Sequence, residues 1–163
     1  MMKVIKKQTN TLDCIVCGIN NEFGLKAPFY ETETNEVVTL FEFKEHHQSY
    51  PGRTHGGLVS TMLDELIGRA IWIYDPNQWG VTMTLTIKYR KPTPYNTKLK
   101  GVGRIDSQTS RTFSGSGEIY DENGNVLAEA TAVYMKLPIE KIAEGFSKEH
   151  NVNIMIPDNV TEV

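Results

Sequence analysis

With 163 residues, 39% of them hydrophobic and 23% charged, the chain has the size of one domain that buries a core unaided. A formal net charge of -3 argues against nonspecific binding to DNA or RNA, while leaving room for a local basic patch that takes a small phosphorylated ligand. The opening MMKVIKKQTN lacks the apolar stretch of a signal peptide and no run approaches the roughly 18 apolar residues of a membrane span, so a cytoplasmic chain without membrane contact is expected.

Residues 1–22 are expected to form an irregular N-terminal lead-in, 23–137 the folded domain, and 138–163 a tail with one short helix that then loses order. Cys14 and Cys17, the only cysteines, stand in C-I-V-C-G. That spacing is half of a zinc site, and zinc takes four ligands. His46 and His47 are spaced to match no standard completion of it. A redox pair normally opens a helix after a strand, and that context is missing. Reduced structural thiols are the plainest reading, with metal and redox roles as alternatives.

Leu25–Tyr30 and Val37–Phe43 are β-like, separated by the turn-forming Thr34-Asn35. In the second run Val37, Thr39, Phe41 and Phe43 share a face. From Leu58 to about Tyr74 the period changes: Leu58, Met62, Leu66 and Ala70 recur every four residues, and Leu63 and Ile67 widen the stripe. This predicts one long helix, stopped near Asp75-Pro76 because proline disfavours helix in the residue before it.

In Val81–Arg90, Met83, Leu85, Ile87 and Tyr89 face one way, and Thr82, Thr84, Thr86, Lys88 and Arg90 the other. Strands are predicted at Lys98–Ile105, Arg111–Tyr120 and Val126–Lys136. Asp121-Glu122-Asn123-Gly124 joins the last two, since Asn and Gly accept positive φ at low cost. Val126, Ala128, Ala130, Ala132 and Tyr134 give the last strand one face of mostly small residues, suited to a closely packed helix. This order predicts an α+β hotdog fold, a curled antiparallel β-sheet wrapped around one long central helix.

The chemistry concentrates in H-H-Q-S-Y-P-G-R-T-H-G-G-L-V-S-T-M-L-D-E, residues 46–65. Gly56 and Gly57 open the helix, where first-turn amides lack intrahelical partners and the dipole adds positive character. Such amides polarise a carbonyl and stabilise an oxyanion. Asp64 sits mid-helix, with Ser60, Thr61 and Gly68 within about 60° of it around the axis. A carboxylate within an otherwise apolar helix needs a reason, and catalysis is one. Glu65 pairs at i,i+4 with Arg69, as solvated helix surfaces commonly do.

Gly56 and Asp64 are separated by about 12 Å of helix, whereas reacting atoms approach to about 3–3.5 Å. The two features are therefore expected to serve composite sites at a two-fold interface, one contribution from each chain. The plainer alternatives are a helix-capping His55, tight-turn glycines, and a structural Asp64 bonded to Thr61 or to a neighbouring strand.

The run H-G-G-L-V-S-T-M-L-D resembles the phenylacetyl-CoA and 4-hydroxybenzoyl-CoA thioesterase group of hotdog proteins. Q-S-Y-P-G-R-T-H-G-G, G-V-T-M-T-L-T-I-K-Y-R-K-P and C-I-V-C-G-I-N-N-E-F-G-L are similar to further family segments, so that the likeness runs over roughly residues 14–137. It implies hydrolysis of an acyl-CoA substrate by a homodimer or dimer of dimers, with no cofactor or metal. In that scheme Gly56 supplies the polarising amide and His55 shapes its loop. Asp64 is nucleophile or general base, while Gln48 and Thr82 hold water or substrate. Gly57, Thr61, Tyr89, Arg90, Lys91 and Arg111 are the substrate-binding candidates, the basic residues among them (with Arg104) for the phosphates of coenzyme A. A hotdog hydratase or dehydratase and a non-catalytic acyl-CoA-binding module are the competing possibilities, because fold alone does not separate them.

Overall fold

The computed structural model describes residues 1–143, 145 and 154–163. In chain order these form β1 (Val4–Lys7), β2 (Tyr30–Thr32), β3 (Val37–Phe41), helix α1 (Gly56–Arg69), β4 (Trp79–Tyr89), β5 (Leu99–Gln108), β6 (Thr112–Tyr120), β7 (Val126–Leu137) and a short helix α2 (Ile139–Ile142). The strands make one seven-stranded sheet in the order β1-β2-β3-β5-β6-β7-β4, antiparallel at every junction. Among the described residues no helix is long and apolar enough to cross a membrane.

The α+β arrangement with one long helix is present, but the expected curled sheet wrapped around that helix is not. The sheet is open, with β1 and β4 at its two edges. β1, formed within the N-terminal lead-in, extends the far edge by pairing with β2, and among the described residues β4 pairs only with β7. The two ends do not meet, so α1 lies across one face of the sheet.

Why α1 packs there follows from its stripe. Val59, Met62, Leu63, Leu66 and Ile67 are all buried, each worth about 1.5–3 kcal/mol of transfer free energy. The sheet meets them with small residues: Ala128, Ala130 and Ala132 of β7 are buried on the same face. At Gly103 of β5 a Cβ would lie 2.7 Å from the Leu66 carbonyl oxygen, so only glycine permits this approach. After Arg69 the coil tightens into a 3-10 turn over Ala70–Ile73, within the predicted helical run.

The opposite sheet face carries a smaller cluster of Tyr30, Val38, Val102 and Val163. Met2 and Val163 exchange backbone hydrogen bonds of 2.7 and 2.9 Å, and Lys3 and Asn10 bridge to Glu162 and Ile154. Residues 154–163 therefore line the N-terminal strand instead of losing order. The remainder of that expectation falls on 144 and 146–153, outside the described residues.

Two further predictions are corrected. Of Leu25–Tyr30 only Tyr30 joins the sheet, because the amides of Leu25 and Ala27 donate to the carbonyls of Ile15 and Val16, 2.9 Å each. This segment is tied to the cysteine loop. In β4 the pairing passes from Thr82↔Tyr134 to Thr84↔Val133, so Met83 is an extra, bulged residue. The bulge turns Thr82 onto the helix side, the face of Leu85, Ile87 and Tyr89, instead of the polar face that strict alternation predicts.

Candidate active site

The loop before α1 is fixed by its backbone. Ser49 donates to the Arg53 carbonyl at 2.8 Å across a turn in which Gly52 takes φ +76°. The Thr54 and His55 amides donate to the carbonyls of Thr93 and His47, at 2.8 and 2.9 Å. His55 is the N-cap, its Nδ1 accepting the Gly57 amide at 3.0 Å. Among the described residues the Gly56 amide donates to no partner, leaving one first-turn donor at the positive end of the helix. Tyr89 of β4 closes this end: its hydroxyl lies 3.0 Å from the Gly56 carbonyl and 2.6 Å from Ser60 Oγ.

Two turns further along α1, the half-buried Asp64 is held through one oxygen. Its Oδ1 accepts from Thr82 Oγ1 at 2.8 Å and from the Tyr134 hydroxyl at 2.9 Å. Thr61, the alternative partner, instead donates to the Gly57 carbonyl at 2.9 Å. Tyr134 is buried and its ring stacks on Phe113 at 4.7 Å. Burial first, and the Asp64 charge second, push its pKa well above the usual phenol value. The hydroxyl thus stays a proton donor to the carboxylate. A cavity of about 240 Å³ opens beside these groups, lined by Asp64, Glu65, Gly68, Thr82, Tyr134 and Cys14 among others.

The predicted residues fall into two groups. Gly56, Tyr89, Arg90 and Lys91 line one concavity of about 300 Å³, and Asp64 and Thr82 line the other. Gln48 lies beside the first, its Oε1 accepting from Tyr95 at 3.4 Å. Arg90 is exposed but pairs with Glu129 at 2.6 Å. Lys91 is exposed, its side chain in no described ion pair, and its amide donates to the Leu127 carbonyl at 3.0 Å. Arg111 lies in neither group: it precedes β6 beside Lys136, near the other end of β4. Arg104 is occupied by Glu36 and Glu118, at 2.9 and 2.8 Å.

Glu65 does pair with Arg69, at 2.6 Å, but Arg69 is only 4% exposed. Its guanidinium also donates to the Thr9 carbonyl and stacks over Phe29 and Trp72 at 4.4 and 4.8 Å. The pair is therefore an internal one, not a solvated surface pair. Tyr134 was readable only as the end of an alanine row facing the helix. Its reach to Asp64 is a tertiary fact with no local signal, and the same holds for the Tyr89–Ser60 contact.

With this geometry in place, comparison with known proteins places the chain. The model of the thioesterase superfamily matches residues 51–128. The acyl-coenzyme A thioesterase THEM4 of Mus musculus is 32% identical over 127 residues, 76% of this chain and 52% of that protein. The chain spans about half the length of the curated relatives it matches. A hypothetical thioesterase of Streptococcus pneumoniae, crystallised with coenzyme A, superposes with a TM-score of 0.58 at 23% identity, over 63% of this chain and 82% of that one. The PaaI protein of the E. coli phenylacetic acid degradation operon gives 0.62 at 15% identity, over 69% and 80%. The solved structures share the fold, the matched family model spans the glycine pair and Asp64, and the chain belongs to the hotdog-fold thioesterase superfamily.

Proposed function

We propose that the chain hydrolyses acyl-CoA thioesters to a carboxylic acid and coenzyme A, at composite sites between two copies. The observation that carries this is Asp64: a carboxylate on the central helix, steadied through one oxygen by Thr82 and Tyr134 at the wall of a cavity. The Gly56 amide, in the other concavity, polarises the thioester carbonyl. Asp64 of the second copy serves as general base or nucleophile. As base, it takes a proton from water while the water oxygen bonds to the carbonyl carbon. The C–S bond then breaks, and the coenzyme A thiolate leaves and is protonated.

The edge of the sheet supports the pairing. β4 is eleven residues long, mostly exposed, and among the described residues bonded on one side only. Val81 and Met83, with Val133 and Met135 of β7, leave apolar side chains in solvent. A long free edge with apolar neighbours is a template for another strand, and a second copy of the same edge satisfies it isologously. Arg90 and Lys91, at the rim of the Gly56 concavity, suit the phosphates of coenzyme A. The THEM4 relatives are named as acyl-coenzyme A thioesterases, which agrees with this chemistry.

The test is a thiol-release assay over a panel of acyl-CoAs with wild type and Asp64→Asn. Loss of the carboxylate is expected to lower turnover by about 10²–10⁴-fold, with acyl-CoA affinity largely retained. Wild-type turnover in Asp64→Asn refutes the assignment.

A further inference from the structure

The cysteine loop does not stand apart from the helix. The sulfurs of Cys14 and Cys17 and a carboxylate oxygen of Glu65 all lie within 4.8 Å of one another. His46 and His47 do not complete the cluster: His47 is engaged elsewhere, through Nδ1 to the Lys44 amide at 2.9 Å and Nε2 to the Phe23 carbonyl at 2.7 Å. The loop is shaped as a knuckle around sulfur. The Val16 amide donates to Cys14 Sγ at 3.3 Å, and Thr11 Oγ1 lies 3.3 Å from Cys17 Sγ while accepting the Cys14 amide. Gly18 closes the turn by donating to the Cys14 carbonyl at 2.8 Å. A Cβ there would fall 2.3 Å from that oxygen, so the position requires glycine. Hydrogen bonds to sulfur of this kind orient thiolates as ligands.

We propose that Cys14, Cys17 and Glu65 bind one zinc-class divalent cation, with its fourth position open toward the cavity beside Asp64. Donor chemistry and size fit: a tetrahedral zinc with Zn–S near 2.3 Å draws its ligands to roughly 3.8 Å apart, a contraction of about 1 Å from the spread seen. Charge fits as well. Two thiolates, one carboxylate and the buried Arg69 guanidinium leave two negative charges, and one divalent ion cancels them in a region where uncompensated charge is costly. Each thiol that ligates gives up its proton, so two protons leave to solvent as the ion enters. Cys14 and Glu65 both line the cavity, which supplies a route in from solvent. The ion would tie the loop of residues 11–18 to α1 one residue from Asp64, fixing that wall of the cavity. The inference rests on the knuckle and its third ligand and is independent of the thioesterase assignment.

The test uses the full chain without an affinity tag, reduced and stripped with a chelator, then titrated anaerobically with Zn²⁺ and Co²⁺. One ion per chain is expected, together with thiolate-to-cobalt charge-transfer absorption and the visible bands of a tetrahedral site. Cys14→Ser and Cys17→Ser should each lose the charge-transfer band. Glu65→Gln, which keeps a hydrogen-bond acceptor for Arg69, should weaken binding by about 10-fold or more, no less than the cost of losing an outer-shell partner. Circular dichroism establishes that each variant is folded. A folded, reduced chain that shows no cobalt–thiolate band overturns the proposal, as does zinc retained with unchanged affinity in the Cys14→Ser and Glu65→Gln variants.

Discussion

Asp64 takes its orientation from two hydroxyls on different strands, and the shorter of these bonds comes from a residue that a bulge turned inward. A hydrogen bond to a charged acceptor contributes about 1.5–3 kcal/mol. If Thr82 positions the carboxylate for reaction, Thr82→Val, which keeps the shape and removes the donor, lowers kcat by about 10–100-fold with little change in KM. Thr82→Ser restores the hydroxyl and most of the rate. Steady-state kinetics on the two variants decide it: equal rates for Val and Ser mean that the hydroxyl does not matter. The aspartate and the glycine pair were legible from sequence, because a carboxylate within an apolar stripe and two glycines at a helix start are local anomalies. Tyr134 was not, since its partnership with Asp64 depends on how β7 lies under α1.

At the scale of elements, the loop that delivers the chain into α1 carries its own pH dependence. His47 is buried, and burial, more than any neighbouring charge, lowers its pKa from the ordinary 6.5. Its Nδ1 accepts the Lys44 amide, a bond that protonation would turn into a clash of two N–H groups. Between the lowered folded value and about 6.5 the unfolded chain binds more protons than the folded one, so stability rises with pH there. The contribution is complete above about pH 6.5 and is lost as pH falls through the folded value. Thermal midpoints measured from about pH 7.5 down to pH 5 should therefore fall more steeply for wild type than for His47→Gln, which keeps a donor and an acceptor without titrating. Parallel curves would show that another group controls the slope. The elements differ in how much of them was legible. Helix α1 announced itself through four-residue spacing, and the alanine face of β7 through alternation, because each pattern is repeated many times. Met83 broke the β4 pattern with one residue, which no periodicity reports. Leu25–Tyr30 has strand composition, yet it spends its amides on the cysteine loop. The pairing of Glu65 with Arg69 was visible at i,i+4, but its burial and its closeness to the two sulfurs depend on that same loop folding back.

The described residues form an open sheet with one long helix, α1, on its face, and the Gly56 concavity and the Asp64 cavity flank the two ends of that helix. Among the described residues the Gly56 concavity and the Asp64 cavity share no lining residue. In the proposed assembly one chain therefore holds half of each of two sites, and subunit mixing tests this directly. Gly56→Pro is the matched partner for Asp64→Asn. It removes the amide hydrogen at the first helical position, where proline is well accepted, and His55 before it already has the extended conformation that proline imposes. An added Cβ at Gly56 meets the Tyr89 ring at 3.6 Å, an ordinary contact. Each variant alone should be inactive. When equal amounts are unfolded together and refolded, half of the dimers are mixed, and in each of these one site carries both defects and the other carries neither. Activity should return to about a quarter of wild type, with the KM of the intact enzyme. If the glycine amide and the carboxylate act within a single chain, every site in the mixture keeps one defect and no activity returns, whatever the oligomeric state.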